Sequence, residues 1–378
     1  MKTLIICLVF YLSSPSFTQD SVYITFQIIA ENVEPGEHIF ISGNNIKLGG
    51  WHPGMVKLSK VNDSTWTISL SFIEGDELEF KFTKGKWDNE ALNPDGTVPS
   101  NHLFEVVNDS ILTFRVSHWK DRSNTTVAGQ ITGKVEYITD VTYPGLEPRD
   151  VIIWLPPSYD SMQTKTYPVL YMHDGQNIFD PLTSSFNVDW QLDETADSLI
   201  KAGEIEEIII VGIYNTFNRY AEYSPNDTGY LYMKFIVEEL KPMIDRNYRT
   251  KQGREFTATG GASMGGLISL MLAWEHSETF SMAACLSPAF LYRNFNYVST
   301  VSEYEGNKKP IKLYIDNGED ALDNILQPGI DLMLEALKNK GYIHGEDLIW
   351  FKDENAVHSE SAWAERSWRF LKLFFGKE

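Results

Sequence analysis

The chain has 378 residues, 43% hydrophobic and 13% aromatic, which is enough apolar material for two packed domains and excludes a disordered protein. Its 32 basic and 52 acidic residues give a net charge of −20, which disfavours nucleic acid and anionic membranes as partners. The eight histidines show no H-x-x-x-H spacing and the cysteines form no close pair, so no metal site is predicted.

The first residues have the pattern of a secretory signal peptide. Lys2 precedes an apolar run from Leu4 to Leu12, and small residues lead to a cleavage site near Thr18, so we assign residues 1–19 to the signal. The run is too short to span a membrane, and no second run of membrane length follows. We therefore expect a secreted or periplasmic protein without a membrane span. Cys285 would then be the single cysteine, without an internal disulfide.

Residues 20–120 have the pattern of a small all-β sandwich. Short alternating segments are separated by Gly, Asn, Pro and Asp: VYITFQIIA, EHIFISG, STWTISLSF, ELEFKFTKG, NHLFEVV and ILTFRVS. The polar stretch that follows has no periodicity, which predicts a linker over residues 121–130.

The segments HIFISGNNIKLGGWHPGMVKLS and ELEFKFTKGKWDNEALNPDG resemble the family 20 carbohydrate-binding modules, the starch-binding domains. The resemblance implies that Trp51 and Trp87 stack on sugar rings, so α-glucan is a candidate partner. Two alternatives stay open: Trp51 packs beneath its own loop, or the module serves only for docking. Trp66 alternates with apolar residues on one strand face, which predicts a core position.

From residue 131 to 378, buried strands alternate with amphipathic helices, which predicts an α/β domain with a mostly parallel sheet covered by helices on both faces. Two antiparallel strands open it, in GKVEYITDV and RDVIIWLPPSYD. Buried strands follow in YPVLYMHDGQN, EEIIIVGIYN, SMAACLSPAF, KLYIDNG and DLIWFKD. Helices are predicted in WQLDETADSLIKAG, YLYMKFIVEELKPMIDRNY and SESAWAERSWRFLKLFFG.

Ser263 is the candidate nucleophile. It lies in Gly-Ala-Ser-Met-Gly, between the strand residues Thr257 to Thr259 and an apolar helical run from Leu267 to Trp274. Glycines two residues before and after a serine permit the tight strand-to-helix turn that exposes its hydroxyl above the sheet. The amide of Met264, immediately after the serine, is a candidate oxyanion donor by position.

A serine hydroxyl needs a base, and a neutral histidine is suited to that role. His358 follows a predicted strand and precedes a helix, and it comes after both the serine and the acidic stretch DNGEDALD. This is the chain order Ser, acid, His of α/β-hydrolases. Four carboxylates of the acidic stretch compete for the role of orienting the histidine: Asp316, Glu319, Asp320 and Asp323.

The motifs LYMHDGQNIFD, VGIYN, GGASMGG, LYIDNGEDALD and HSESAWAER together resemble the esterase family that includes esterase D, enterochelin esterases, feruloyl esterases and bacterial mycolyltransferases. The resemblance implies an α/β-hydrolase fold over residues 131–378. Aligned on its glycine, the acidic loop places Asp320 at the acid position, with Glu319 as the alternative, and Asp316 and Asp323 are interpreted as solvated or loop-capping carboxylates. By the same resemblance His173 is structural.

Two further sets of residues complete the predicted site. The second oxyanion amide is expected from the loop Asp174-Gly175-Gln176, with Gly175 preferred because a bare backbone can approach the substrate. Arg219 and Tyr223 lie in a family-like stretch near the pocket, where they either contact substrate or serve as salt-bridge and packing residues.

These patterns predict an exported serine esterase that cleaves carboxylic esters through an acyl-enzyme, without a cofactor, on a small-molecule or carbohydrate ester. One alternative on the same scaffold is a siderophore esterase, which the acidic charge disfavours for an anionic ferric catecholate. An acyltransferase would use the same residues. A third is a non-catalytic carbohydrate-binding protein.

Overall fold

The computed structural model describes residues 21–94, 96, 98–99, 101–120, 129–185, 188–293, 295–319 and 321–377. The predicted signal peptide and residues 121–128 of the predicted linker lie outside these residues. Within the described part of the chain, no helix is both long and apolar enough to cross a membrane.

The N-terminal domain is a β-sandwich of two four-stranded sheets, in the orders β4-β5-β1-β9 and β3-β2-β6-β8. Its core contains the inward residues of both sheets, including Trp66, which is 2% exposed, so its predicted core position is confirmed. The strands are β1 Ser21–Ala30, β2 Phe40–Gly43, β3 Val56–Lys57, β4 Ser59–Asn62, β5 Thr65–Ile73, β6 Glu77–Thr83, β7 Ala91–Leu92, β8 His102–Glu105, β9 Ser110–Val116 and β10 His118–Trp119.

The C-terminal domain is built on an eight-stranded sheet in the order β11-β12-β14-β13-β15-β16-β19-β20. The pairs β11/β12 and β12/β14 are antiparallel and the others are parallel, which confirms the predicted α/β-hydrolase architecture. The strands are β11 Lys134–Val141, β12 Arg149–Leu155, β13 Val169–His173, β14 Ile209–Ile213, β15 Thr257–Ala262, β16 Met282–Leu286, β19 Lys312–Asn317 and β20 Leu348–Lys352; β17 Leu291–Tyr292 and β18 Phe295–Asn296 form a separate hairpin.

Helices cover both faces of the sheet, since α1 and α8 contribute to one apolar cluster and α5 and α7 to another. The helix α5 is buried over almost its whole length, as its apolar sequence predicts. The helices are α1 Leu192–Lys201, α2 Arg219–Glu222, α3 Asp227–Lys234, α4 Lys241–Asn247, α5 Met264–Glu275, α6 Tyr297–Ser302, α7 Ala321–Asn339 and α8 Glu360–Phe375.

Two helical segments differ from expectation. The long helix predicted before the nucleophile strand contains a π-helical turn, Phe235–Leu240, between α3 and α4, directly before Pro242. Proline has no amide to donate to the preceding turn, so a local change of winding is a natural response. The second difference is α7, which the sequence did not predict because Pro328 and Gly329 stand in its middle and break the helical pattern.

Candidate active site

Ser263 lies at a sharp turn between β15 and α5. Its backbone has φ 58° and ψ −119°, a conformation that is strained for any residue with a side chain. An added Cβ on Gly261 would lie 2.8 Å from the backbone carbonyl carbon of Gly265, so the turn closes only with glycine there. The Ser263 amide donates to the Leu286 carbonyl at 2.9 Å, which fixes the turn to the end of β16. The geometry is that of a nucleophile elbow.

His358 is paired with Asp323. The His358 Nδ1 atom is 2.7 Å from Asp323 Oδ1, and the Asp323 side chain is fully buried. The imidazole packs edge-on against the ring of Trp363 at 5.0 Å between centroids. In a catalytic triad the acid binds Nδ1 and thereby directs Nε2 towards the nucleophile. Asp323 thus contacts the ring nitrogen that the acid of a serine-hydrolase triad would bind.

The sheet topology brings the serine and this pair to one edge. Strands β15, β16, β19 and β20 are neighbours and parallel, so their carboxyl ends lie side by side. Ser263 follows β15, Asp323 lies in the first turn of α7 after β19, and His358 follows β20. Loops that follow the carboxyl ends of parallel strands form the binding crevice of open α/β sheets.

The carboxylate that contacts His358 among the described residues is Asp323, and the prediction of Asp320 as the acid stays untested. Asp320 lies outside the described residues, whereas Glu319 is exposed and lies 3.7 Å from Lys352. Asp316 is buried in an ion pair with Arg366, at 2.9 Å from Oδ2 to Nε. The structure instead brings Asp323 to the histidine, because α7 begins at residue 321 and its first turn directs Asp323 inward.

The predicted oxyanion donors belong to two neighbouring segments, the start of α5 and the loop after β13. Met264 is the first residue of α5, so its amide has no carbonyl of its own helix to bind. An added Cβ on Gly175 would lie 2.3 Å from the carbonyl carbon of Gly212, which leaves room only for glycine in this loop. The loop reaches α5, since a Cβ on Gly265 would lie 3.3 Å from Asp174 Oδ2. The adjacent Gln176 uses its Oε1 to accept from the Asn215 amide at 3.2 Å.

Arg219 and Tyr223 both bind Asp174, the residue before Gly175. The Arg219 guanidinium donates to both carboxylate oxygens, at 2.7 and 2.8 Å, and the Tyr223 hydroxyl accepts from the Asp174 amide at 3.2 Å. Burial opposes ionisation of Asp174, yet Arg219 holds the pKa of this carboxyl below its usual value. Tyr223 is fully buried, which favours the packing role over a substrate contact for this residue. The two side chains instead shape the oxyanion loop, and Arg219 remains partly exposed.

His173 has the structural position that the family resemblance implies. It is fully buried, with Nδ1 3.0 Å from the Tyr232 hydroxyl and Nε2 3.3 Å from Thr259 Oγ1. Burial lowers the pKa of His173 to about 3, and the neighbouring Arg219 contributes to this shift. The ring is therefore neutral, and both its nitrogens already contact other side chains.

The two tryptophans predicted to bind sugar lie together. The rings of Trp51 and Trp87 are 6.3 Å apart between centroids, at 41° to each other, and both are partly exposed. Trp51 has a positive φ of 70°, and its amide donates to the Gly43 carbonyl at 2.7 Å. The pair therefore forms a joint aromatic surface on a constrained loop.

Three acidic residues near the start of α1 lie close enough to share a proton or a cation: Asp189, Asp193 and Glu194, whose nearest oxygens lie within 4.8 Å of one another. Asp193 is fully buried and accepts from the Thr132 amide at 2.6 Å. Burial, and then the neighbouring Glu194, raise the pKa of Asp193 to about 9. A protonated Asp193 that binds Glu194 accounts for the cluster without a metal.

We expect Asp193→Asn to reduce the loss of stability at alkaline pH. The folded-state pKa lies above the unfolded value, so folding loses stability as pH rises from about 4 to 9. Thermal melts in EDTA should show that the free energy of unfolding of the wild type falls relative to that of Asp193→Asn, by up to about 1 kcal/mol for each unit of rising pH. Asp63→Asn, at an exposed site of the sandwich, is the control. Equal pH dependence of wild type and Asp193→Asn would contradict the shared proton.

The fold and the site define an α/β-hydrolase. The chain belongs to the family described as "Putative esterase", whose model matches residues 146–367, more than half of the sequence. Residues 21–106 match the family described as starch binding domain. The protein is thus a carboxylic-ester hydrolase with an N-terminal domain of the starch-binding type.

Several known proteins are similar to this chain. YbbA of Bacillus subtilis, described as uncharacterized, is 23% identical over 246 residues, covering 61% of this chain and 93% of YbbA. An endo-1,4-beta-xylanase/feruloyl esterase of Xylanibacter ruminicola is 28% identical over 215 residues, covering 56% of this chain and 27% of that protein. The enterobactin esterase structure from Shigella flexneri has a TM-score of 0.53 at 13% identity and covers 89% of this chain and 88% of its own. At this identity the structural likeness shows the fold alone.

Proposed function

We propose that the protein is an exported serine esterase whose triad is Ser263, His358 and Asp323. The observation that carries the proposal is the 2.7 Å pairing of His358 Nδ1 with the buried Asp323, at the sheet edge where Ser263 has its strained backbone. The apolar run after Lys2 supports export.

In the proposed reaction, the Ser263 hydroxyl oxygen attacks the ester carbonyl while His358 Nε2 takes its proton. The Asp323 carboxylate stabilises the imidazolium that forms. The amides of Met264 and Gly175 would bind the oxyanion of the tetrahedral intermediate. His358 returns the proton to the leaving alcohol, and water, activated in the same way, releases the acid from Ser263.

An organophosphonate ester tests this mechanism directly. It should add once per chain, and peptide mass spectrometry should place the adduct on Ser263. The Ser263 oxygen displaces the leaving alcohol from phosphorus once His358 has taken the hydroxyl proton. His358→Ala should therefore be labelled far more slowly at the same residue. Absence of labelling in a folded wild-type protein would favour the non-catalytic carbohydrate-binding alternative.

The substrate we propose is an acyl ester carried by a carbohydrate. The starch binding domain match and the paired Trp51 and Trp87 support a surface that binds sugar. One similar protein is named as both a xylanase and a feruloyl esterase, which supports an ester on a carbohydrate as the substrate. The His52 ring, next to Trp51, contacts the Phe217 ring at 5.5 Å. Phe217 stands two residues before Arg219, so the sugar surface adjoins the oxyanion side of the catalytic domain.

We expect Trp51→Ala and Trp87→Ala each to weaken binding to starch or cyclodextrin by about tenfold, because a flat aromatic ring covers the apolar face of a sugar. Turnover of a small aryl ester should stay at the wild-type level. Affinity electrophoresis and a colorimetric assay measure the two effects. Trp66→Ala is the control, since this buried residue should instead cost about 3 to 5 kcal/mol of stability. Unchanged retention of both Trp51→Ala and Trp87→Ala in the affinity gel would contradict sugar binding by these two residues.

A further inference from the structure

The sandwich turns a buried polar face towards the catalytic domain. Alternation along β6 directs Leu78, Phe80 and Phe82 into the sandwich core. It directs Glu79 and Lys81 to the opposite face, where a free sandwich would expose them to water. Both are nevertheless buried, at 8% and 4% exposure. The catalytic domain therefore covers this outer face of β6.

The hairpin β17–β18 provides part of that cover. Arg293, at its turn, lies 2.8 Å from Glu79 Oε1 and donates to the Glu77 carbonyl at 2.7 Å. The Tyr292 hydroxyl donates to Glu79 as well. Paired charges and satisfied hydrogen bonds make burial of this polar face tolerable. The two domains are thus joined by specific polar contacts.

Beside this contact, three charged side chains of the sandwich form a buried cluster that reaches the catalytic domain. Glu90 accepts from Lys81 at 3.2 Å through Oε2 and from Lys120 at 3.4 Å through Oε1. Lys120 also donates to the Ser185 carbonyl of the catalytic domain at 2.8 Å. The cluster therefore extends across the domain boundary.

On the catalytic side the contacts continue to the oxyanion loop. The Ser185 amide donates to Asn177 Oδ1 at 2.9 Å, and Asn177 Nδ2 donates to Glu360 Oε1 at 3.4 Å. Glu360 is buried, and Lys81 attracts its carboxylate electrostatically. The contacts thus form a chain from Lys81 through Glu90, Lys120 and Ser185 to Asn177 and Glu360.

This chain of contacts reaches the candidate catalytic site at two residues, Asn177 and Glu360. Asn177 ends the short helix Gly175–Asn177, which carries the candidate oxyanion amide, and its own amide donates to the Asp174 carbonyl at 2.9 Å. Glu360 begins α8, two residues after His358. We propose that Lys81 of the sandwich is a positioning residue for ester hydrolysis, which holds the candidate oxyanion loop in place through the chain of contacts that ends at Asn177 and Glu360. The inference rests on the proposed esterase mechanism.

The physical reason lies in the burial of Glu360. Burial raises the pKa of this carboxyl to about 7, and the positive charge of Lys81 favours its ionised form. An ionised acceptor binds the Asn177 amide more strongly than a neutral one. Without Lys81, Glu90 loses one of its two buried ion-pair partners, and Lys120, which binds both Glu90 and the Ser185 carbonyl, is held less firmly beside Asn177. Displacement of about 1 Å in catalytic groups can cost about a hundredfold in rate.

The test compares Lys81→Met with Lys57→Met, a matched change at an exposed lysine of the same sheet. Hydrogen exchange should become faster in the peptide that covers residues 174–178 in Lys81→Met alone. The kcat for a small aryl ester should fall about tenfold with KM unchanged, because the loop acts in the transition state. Lys81→Arg, which keeps the charge, should restore at least part of kcat.

Glu360→Gln tests the same chain of contacts from the catalytic side, in case Lys81→Met does not fold. It should accelerate exchange in residues 174–178 and leave exchange within the sandwich unchanged. Wild-type exchange in this peptide for both folded variants would overturn the proposal, as would equal kcat loss in Lys57→Met. Exchange is measured without substrate, so it decides the positioning role even if phosphonate labelling fails and the esterase mechanism is abandoned.

Discussion

Replacing Ser263 with alanine should lower kcat on an aryl ester by roughly a millionfold, because the members of a triad act as a unit. The change removes only the hydroxyl, and alanine meets the same backbone constraint at φ 58°, so the fold should persist. Steady-state kinetics measure the loss, and thermal melting confirms folding. Turnover within tenfold of wild type would show that Ser263 is not the nucleophile.

Asn for Asp at position 323 should lower kcat by about ten-thousandfold, since an amide cannot stabilise the imidazolium and holds the ring in the wrong tautomer. The amide has nearly the size of the carboxylate, so Asp323→Asn should leave this buried site well packed. Kinetics over a pH series measure the effect.

The sequence-based alternatives supply the controls for this variant. Asp320→Asn and Glu319→Gln should each stay within about threefold of wild type, because Asp323 already binds His358 Nδ1 and the exposed charge of Glu319 interacts weakly across solvent. A large loss of kcat in Asp320→Asn, with little change in Asp323→Asn, would show that the triad acid is Asp320, the residue that the family resemblance indicates.

The sharp turn at Ser263 could be predicted from the sequence because its constraints are local. Gly261 and Gly265 are required within a few residues of Ser263, and the apolar run that follows is diagnostic of a covered helix. The position of the candidate base was predictable for a similar reason, since His358 lies in the short loop between the strand β20 and the helix α8. Each of these signals is contained in a short stretch of chain.

The contact between Asp323 and His358 could not be predicted in this way, because it depends on where a helix begins. Pro328 interrupts the helical pattern of α7 in the sequence. The prediction therefore assigned residues 321–323 to a loop, in which the direction of the Asp323 side chain is not defined. In the structure the first turn of α7 buries this carboxylate against His358. Helix boundaries are the least reliable part of a sequence-based prediction.

The contact between the domains was also beyond the sequence. Glu79 and Lys81 alternate with apolar residues, which is the pattern of an ordinary solvent-exposed face. Their burial depends on the hairpin β17–β18, more than 200 residues further along the chain. A single sequence shows which face of a strand is polar, yet it does not show what covers that face.

The polar outer face of β6 limits how this protein can be recombined. A starch-binding domain that serves only as a tether can be exchanged for another one without effect on the enzyme beside it. Here a transplanted domain without the equivalents of Glu79 and Lys81 would leave Arg293 and Glu360 buried opposite apolar or mismatched groups. The two domains are therefore expected to diverge as one inherited unit, with substitutions at their shared face occurring in pairs.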